Sequence, residues 1–129
     1  DVMFYIELKR GALISHGQEY CLNTLEILLK GLINITVMSF DRLSMRAARA
    51  MDFAHVGVVL EHWNNKDEVI EYCKADVAFI NKNHVKDEII NARCPIALYE
   101  IDDIIEAKQW LARGASLIET FNIKKLLGQ

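Results

Sequence analysis

Glu7 and Lys9 stand two residues apart in the stretch FYIELKR, at the end of an otherwise apolar run. Side chains alternate along a strand, so Tyr5, Glu7 and Lys9 share one face while Phe4, Ile6 and Leu8 share the other. A carboxylate and an ammonium turned toward the centre of a sheet are costly when buried without partners. The pair therefore satisfies itself, serves a polar ligand, or reaches water where the strand ends. Comparable groups close the later apolar runs: Ser39 and Asp41, Glu61 and His62, Asn81 and Lys82, Glu100 and Asp102, and finally Glu119, Thr120 and Asn122.

Six apolar runs lead up to these groups: VMFYIEL, ITVMSF, HVGVVLE, DVAFI, PIALYEI and SLIETF. Each of the first five is followed by a segment with helical spacing. Leu22, Leu25, Leu28, Leu29 and Leu32 in YCLNTLEILLKGL show it best, and SFDRLSMRAARAM, NKDEVIEYCK, HVKDEIINA and DIIEAKQWLARG are shorter examples. Asp41, Asn65 and Asp103 are placed as N-caps and Gly114 as a C-cap. The apolar runs are mostly continuous, as in strands covered on both faces, and the strand-helix alternation predicts right-handed βαβ units around a parallel sheet. The fold class is α/β. With no linker or Pro/Gly-rich break, residues 1–129 read as a single domain. Ligands of parallel α/β folds bind outside the carboxyl ends of the strands, which is where the polar residues collect.

The 129 residues are 52% hydrophobic and 26% charged, with a formal net charge of −3 and a single proline, the composition of a soluble globular chain. No positive field exists to collect nucleic acid or anionic lipid. No apolar run approaches the roughly 20 residues of a membrane span, and the start lacks a basic segment followed by an apolar one. Cys21, Cys73 and Cys94 are widely spaced, which fits thiols of a reducing compartment and predicts a cytoplasmic protein. The segment RGALISHGQ is neither a GxGxxG loop nor a P-loop, so Gly11 and Gly17 are read as serving a loop backbone, and an open flavodoxin-like sheet would lack the usual nucleotide signature.

YIELK, then VMSFD some thirty residues later, then the closing RGASLIET resemble the later part of a glycerophosphodiester phosphodiesterase domain. The resemblance runs over nearly the whole chain. It implies a (β/α)8 barrel of which this chain holds about six of eight strands, an incomplete TIM barrel. It also implies an activity for the intact barrel: hydrolysis of a glycerophosphodiester to glycerol 3-phosphate and an alcohol, with Ca²⁺ or Mg²⁺. Residue by residue, Glu7 resembles the family carboxylate that helps bind the metal, and Lys9 resembles the lysine that faces the substrate phosphate, a catalytic and substrate-binding role. Ser39 would line the pocket, Phe40 would pack, and Tyr99 would keep an aromatic wall at the substrate.

The departures bear on activity. Where the family has a Trp-Thr-Val-Asn-like strand this chain has YEID, and the closing Thr-Asp is Thr120-Phe121. The family's His-Arg-Gly and Glu-x-Asp strands have no counterpart here, and His16, His55, His62 and His84 match no family histidine. The resemblance thus implies that the first two strands lie upstream and that this chain alone is inactive. The alternative is a diverged non-catalytic α/β module that binds a phosphorylated ligand. A barrel short of two strands would leave two open sheet edges, through which a homodimer could form.

Overall fold

The computed structural model describes residues 2–86 and 89–128. Six strands, β1 (Phe4–Glu7), β2 (Ile35–Ser39), β3 (His55–Leu60), β4 (Val77–Asn81), β5 (Ile96–Tyr99) and β6 (Leu117–Ile118), form one sheet in the order of the chain. Every neighbouring pair is parallel. Successive right-handed crossovers keep the helices on one side, and the sheet curls away from them into a half-barrel. The doubly wound order of an open flavodoxin-like sheet is absent.

The curl is visible in one contact. In a flat sheet β1 and β4 would lie about 14 Å apart at roughly 4.8 Å per strand, yet the rings of Tyr5 and Phe79 meet edge to face with centroids 5.3 Å apart. Gly57 of β3 makes room for this: a Cβ there would stand 3.0 Å from Met38 Cβ and 3.2 Å from Thr36 Cγ2. Alternation divides the core in two. Val37, Val58, Leu60, Ile80 and Leu98 face the helices, and Met38, Val59, Phe79 and Ala97 line the concave side.

The helices are α1 (Arg10–His16), α2 (Gln18–Leu29), α3 (Arg42–Ala50), α4 (Lys66–Cys73), α5 (Ile104–Ala112) and α6 (Ile123–Leu126). Asp41 caps α3 by accepting from Ser44 N, and Asp103 caps α5 by accepting from Ile105 N and Glu106 N. Asn65 occupies the capping position of α4 without a side-chain cap bond. Gly114 follows the C-cap Arg113 with φ +105°, and a Cβ there would lie 2.8 Å from the Ile90 carbonyl. Cys21 and Cys73 are buried free thiols, Cys94 is half-buried, and no described helix is long and apolar enough to cross a membrane.

Two expectations need correction. RGALISHGQ is not a loop: Arg10–His16 is helical, and Gly17, with φ +81°, separates α1 from α2. HVKDEIINA forms no α-helix among its described residues, Asp87 and Glu88 lying outside them; a 3-10 turn covers Lys82–His84. Tertiary bonds outcompete the helical ladder there, since Ile90 N donates to Arg113 O (2.7 Å) and Arg93 N to Asp67 Oδ1 (3.0 Å).

Candidate functional site

The alternation that puts Met38, Val59, Phe79 and Ala97 on the concave side carries through to the carboxyl ends of the strands. There it presents Glu7, Phe40, Glu61, Asn81, Tyr99 and Glu119 around one mouth. Below the mouth, Tyr5, Met38, Phe79, Ala97, Leu117 and Glu119 line a hollow of about 280 Å³. A larger cavity, about 470 Å³, opens at the opposite end of the strands, between the end of α2 and the residues before β3, far from the polar groups.

The pair at the end of β1 satisfies itself. Lys9 Nζ donates to Glu7 Oε2, with the Glu7 side chain 21% exposed and that of Lys9 72% exposed. The carboxylate thus lies inward and the ammonium outward, where it can meet a ligand. Next in sequence, Arg10 reaches across the rim to Glu61 beyond β3 and lies over the Phe40 ring, 5.2 Å from its centroid. On the far side, Asn81 Nδ2 donates to Glu100 Oε2 (2.7 Å), and Glu100 holds a left-handed backbone with φ +66°. Such strained residues gather at functional sites.

Charge at the mouth is unbalanced. Glu7, Glu61, Glu100 and Glu119 face only Lys9 and Arg10, and the Glu119 carboxylate has no hydrogen-bond or ion-pair partner among the described residues, although its backbone N donates to Leu98 O and its carbonyl accepts from Ile101 N. Although Glu119 is exposed, the apolar hollow beneath it withdraws water, and this desolvation, followed by the Glu7 charge, raises its pKa. Burial, then Glu100, raises the Tyr99 phenol. Asp102 behaves oppositely: Thr120 Oγ1 donates to it (2.6 Å) and lowers its pKa, tying the ends of β5 and β6 together.

The structure brings Glu7, Lys9 and Tyr99 to one end of the sheet, whereas Ser39 faces away from it. Ser39 shares the parity of Val37, is fully buried on the helix side, donates to Leu8 O (2.7 Å) and accepts from Asp41 N (3.0 Å). It staples the end of β1 to the start of α3. Arg10, Glu61 and Glu119 were assigned no role from the sequence; the shared parity of Leu117 and Glu119 with the concave side is the signal that marks the last of them.

From the described residues alone, the mouth offers Glu7 and no assembled ligand set. Ca²⁺ and Mg²⁺ take about six or more oxygen ligands, and among the described residues no group of three or more His, Cys, Asp or Glu is arranged to hold an ion.

No protein-family model and no curated protein sequence matches the chain. A solved structure does. The crystal structure of a Galdieria sulphuraria protein, provisionally assigned as a glycerophosphodiester phosphodiesterase, superimposes with a TM-score of 0.74 at 13% sequence identity. The match covers 98% of this chain and 56% of that one, so this chain spans little more than half the length of its structural neighbour. At that identity the likeness speaks of the fold alone: the half-barrel superimposes on part of that structure.

Proposed function

We propose that residues 1–129 are the C-terminal part of a glycerophosphodiester phosphodiesterase-like barrel, and that the mouth described above is its share of the site for a small phosphodiester. The observation that carries the reading is the Glu7–Lys9 pair, held at the carboxyl end of β1 on the concave face of a fold shared with a protein so assigned. In the reaction, water oxygen bonds to phosphorus, the bond from phosphorus to the alcohol oxygen breaks, and the departing oxygen takes a proton, leaving glycerol 3-phosphate. Lys9, as the catalytic and substrate-binding cation, offsets the phosphate charge, and Tyr99 walls the pocket. A divalent metal would supply Lewis-acid stabilisation in the intact barrel. From this chain it would draw on Glu7, with its other ligands on strands outside residues 1–129. Those strands would pair with the free edges of β1 and β6; in their absence two copies of the chain could pair there. The buried free thiols Cys21 and Cys73 support a reducing compartment and hence the cytoplasm.

The exposed Phe121 at the closing Thr-Phe favours a second reading, a non-catalytic module that keeps only the phosphate contact. Glycerol 3-phosphate release from a glycerophosphodiester in Ca²⁺ or Mg²⁺, assayed on the intact barrel that carries the further strands, separates the two: release supports the enzyme, and none supports the module. The shared claim is tested by following amide shifts of Lys9, Tyr99 and Glu119 during a glycerol 3-phosphate titration. Saturable shifts weakened about five-fold in Lys9→Met, the loss of one exposed charge contact, support it; their absence, or indifference to Lys9→Met, overturns it.

A further inference from the structure

On the outer layer, away from the mouth, α3 carries Arg42, Arg46 and Arg49 at positions i, i+4 and i+7, all on the stripe that faces α4. Arg46 lies over the Tyr72 ring with its guanidinium carbon 4.6 Å from the centroid, and Arg42 approaches the same ring at 5.9 Å. Beside them Arg46, Arg49, Tyr72, Cys73 and Lys74, with Glu71 at the wall, line a cavity of about 390 Å³. The negative groups nearby are already committed: Asp76 to Arg49, Glu71 to Arg93, and Asp41 to Ser44. Arg42, Arg46 and Lys74 have no carboxylate partner among the described residues. Like charges one helical turn apart repel by a few tenths of a kcal/mol, and a single aromatic ring does not neutralise two guanidinium groups. Their N–H donors, oriented by stacking and otherwise unused, suit the oxygens of a tetrahedral dianion.

We propose that the α3–α4 groove is a phosphate-binding site, with Arg42, Arg46 and Lys74 as its ligands and Tyr72 as the positioning residue that holds the arginines. The site recognises a phosphate monoester group; Arg42 stands at its end nearest Phe40 and Glu61, while Arg46 and Lys74 line the cavity away from the mouth, so the site stands whether or not the reaction proposed above is right.

The test follows amide and arginine side-chain shifts of the chain during titration with inorganic phosphate, with co-sedimentation on phosphatidylcholine vesicles containing phosphatidic acid as a second arm. The expected result is saturable binding on the order of 1 mM, with shifts at Arg42, Arg46 and Lys74, weakened at least about five-fold in Arg46→Gln and unchanged in Lys9→Met. Arg46-dependent binding in the phosphate arm assigns a soluble ester, and Arg46-dependent binding in the vesicle arm alone assigns a lipid headgroup. The proposal is overturned if neither arm shows Arg46-dependent binding, or if every phosphate-induced shift disappears in Lys9→Met. Arg46 is exposed, so the substitution leaves the core untouched; Lys74→Gln, also exposed, provides a second independent variant.

Discussion

Replacing Ser39 with alanine removes two hydrogen bonds from a fully buried position. The hydroxyl donates to the Leu8 carbonyl at 2.7 Å and accepts from the Asp41 amide at 3.0 Å, so one small side chain ties the end of β1 to the entry of α3. Neither backbone group has another described partner, and alanine supplies none. A buried group left unsatisfied costs about 1–3 kcal/mol, so the pair should cost on the order of 3 kcal/mol in total, with almost no cavity term because only one oxygen is lost. That is a large share of the roughly 5–15 kcal/mol that holds a domain of this size together. Urea unfolding followed by the fluorescence of Trp63 and Trp110, both buried, measures it directly. A loss below about 0.5 kcal/mol, the scale of ordinary surface changes, would refute the stapling role and reopen a place for Ser39 at the ligand.

Gly57→Val should destabilise by more than about 1 kcal/mol in the same assay, as overpacked cores do, because even its Cβ would stand 3.0 Å from Met38 Cβ. Thr120→Val removes the largest cause of the lowered Asp102 pKa, so carbon-detected titration should show that pKa rising toward the ordinary aspartate value. The sign for stability follows: a depressed folded pKa stabilises above the unfolded aspartate range, so the wild-type advantage should shrink as pH falls through the folded value. Cys73, fully buried with its thiol pushed up to about 11 by desolvation, should resist alkylation at pH 8 until the protein unfolds. Rapid modification of the native chain would contradict its placement.

Much of the architecture was legible because continuous apolar runs and helical spacing are local signals. Five of the six strands fall inside the runs VMFYIEL to SLIETF, β4 overruns DVAFI by the single residue Asn81, and Asp41 and Asp103 cap as their positions suggest. The misses come from long-range competition. HVKDEIINA has helical spacing, but Ile90 and Arg93 give their amides to α5 and α4 neighbours instead of to a helix. The two glycines of RGALISHGQ suggest a loop, yet Gly11 sits inside α1 with open space around it, and of the two only Gly17 takes a positive φ. At the mouth, strand parity places Glu7 with Tyr5 on one face, whereas the roles of Glu7, Lys9 and Tyr99 rest on the family resemblance. The resemblance puts Ser39 in the pocket, but its parity, shared with Val37, turns it to the helix side. The Arg10–Glu61 pair and the influence of Glu7 on Glu119 join residues more than fifty positions apart and leave no local trace.

The central claim is that Lys9 is a phosphate-facing cation held in reserve by Glu7. The most direct test compares glycerol 3-phosphate affinity at the mouth, read from the Tyr99 and Glu119 amides, in the wild type, Lys9→Met and Glu7→Gln. Because Glu7 competes with the ligand for the ammonium, the account predicts opposite changes: binding about five-fold weaker in Lys9→Met and a few-fold tighter in Glu7→Gln, as expected for exposed ion pairs worth up to about 1 kcal/mol. Equal affinities in all three proteins, or weaker binding in Glu7→Gln, would contradict it.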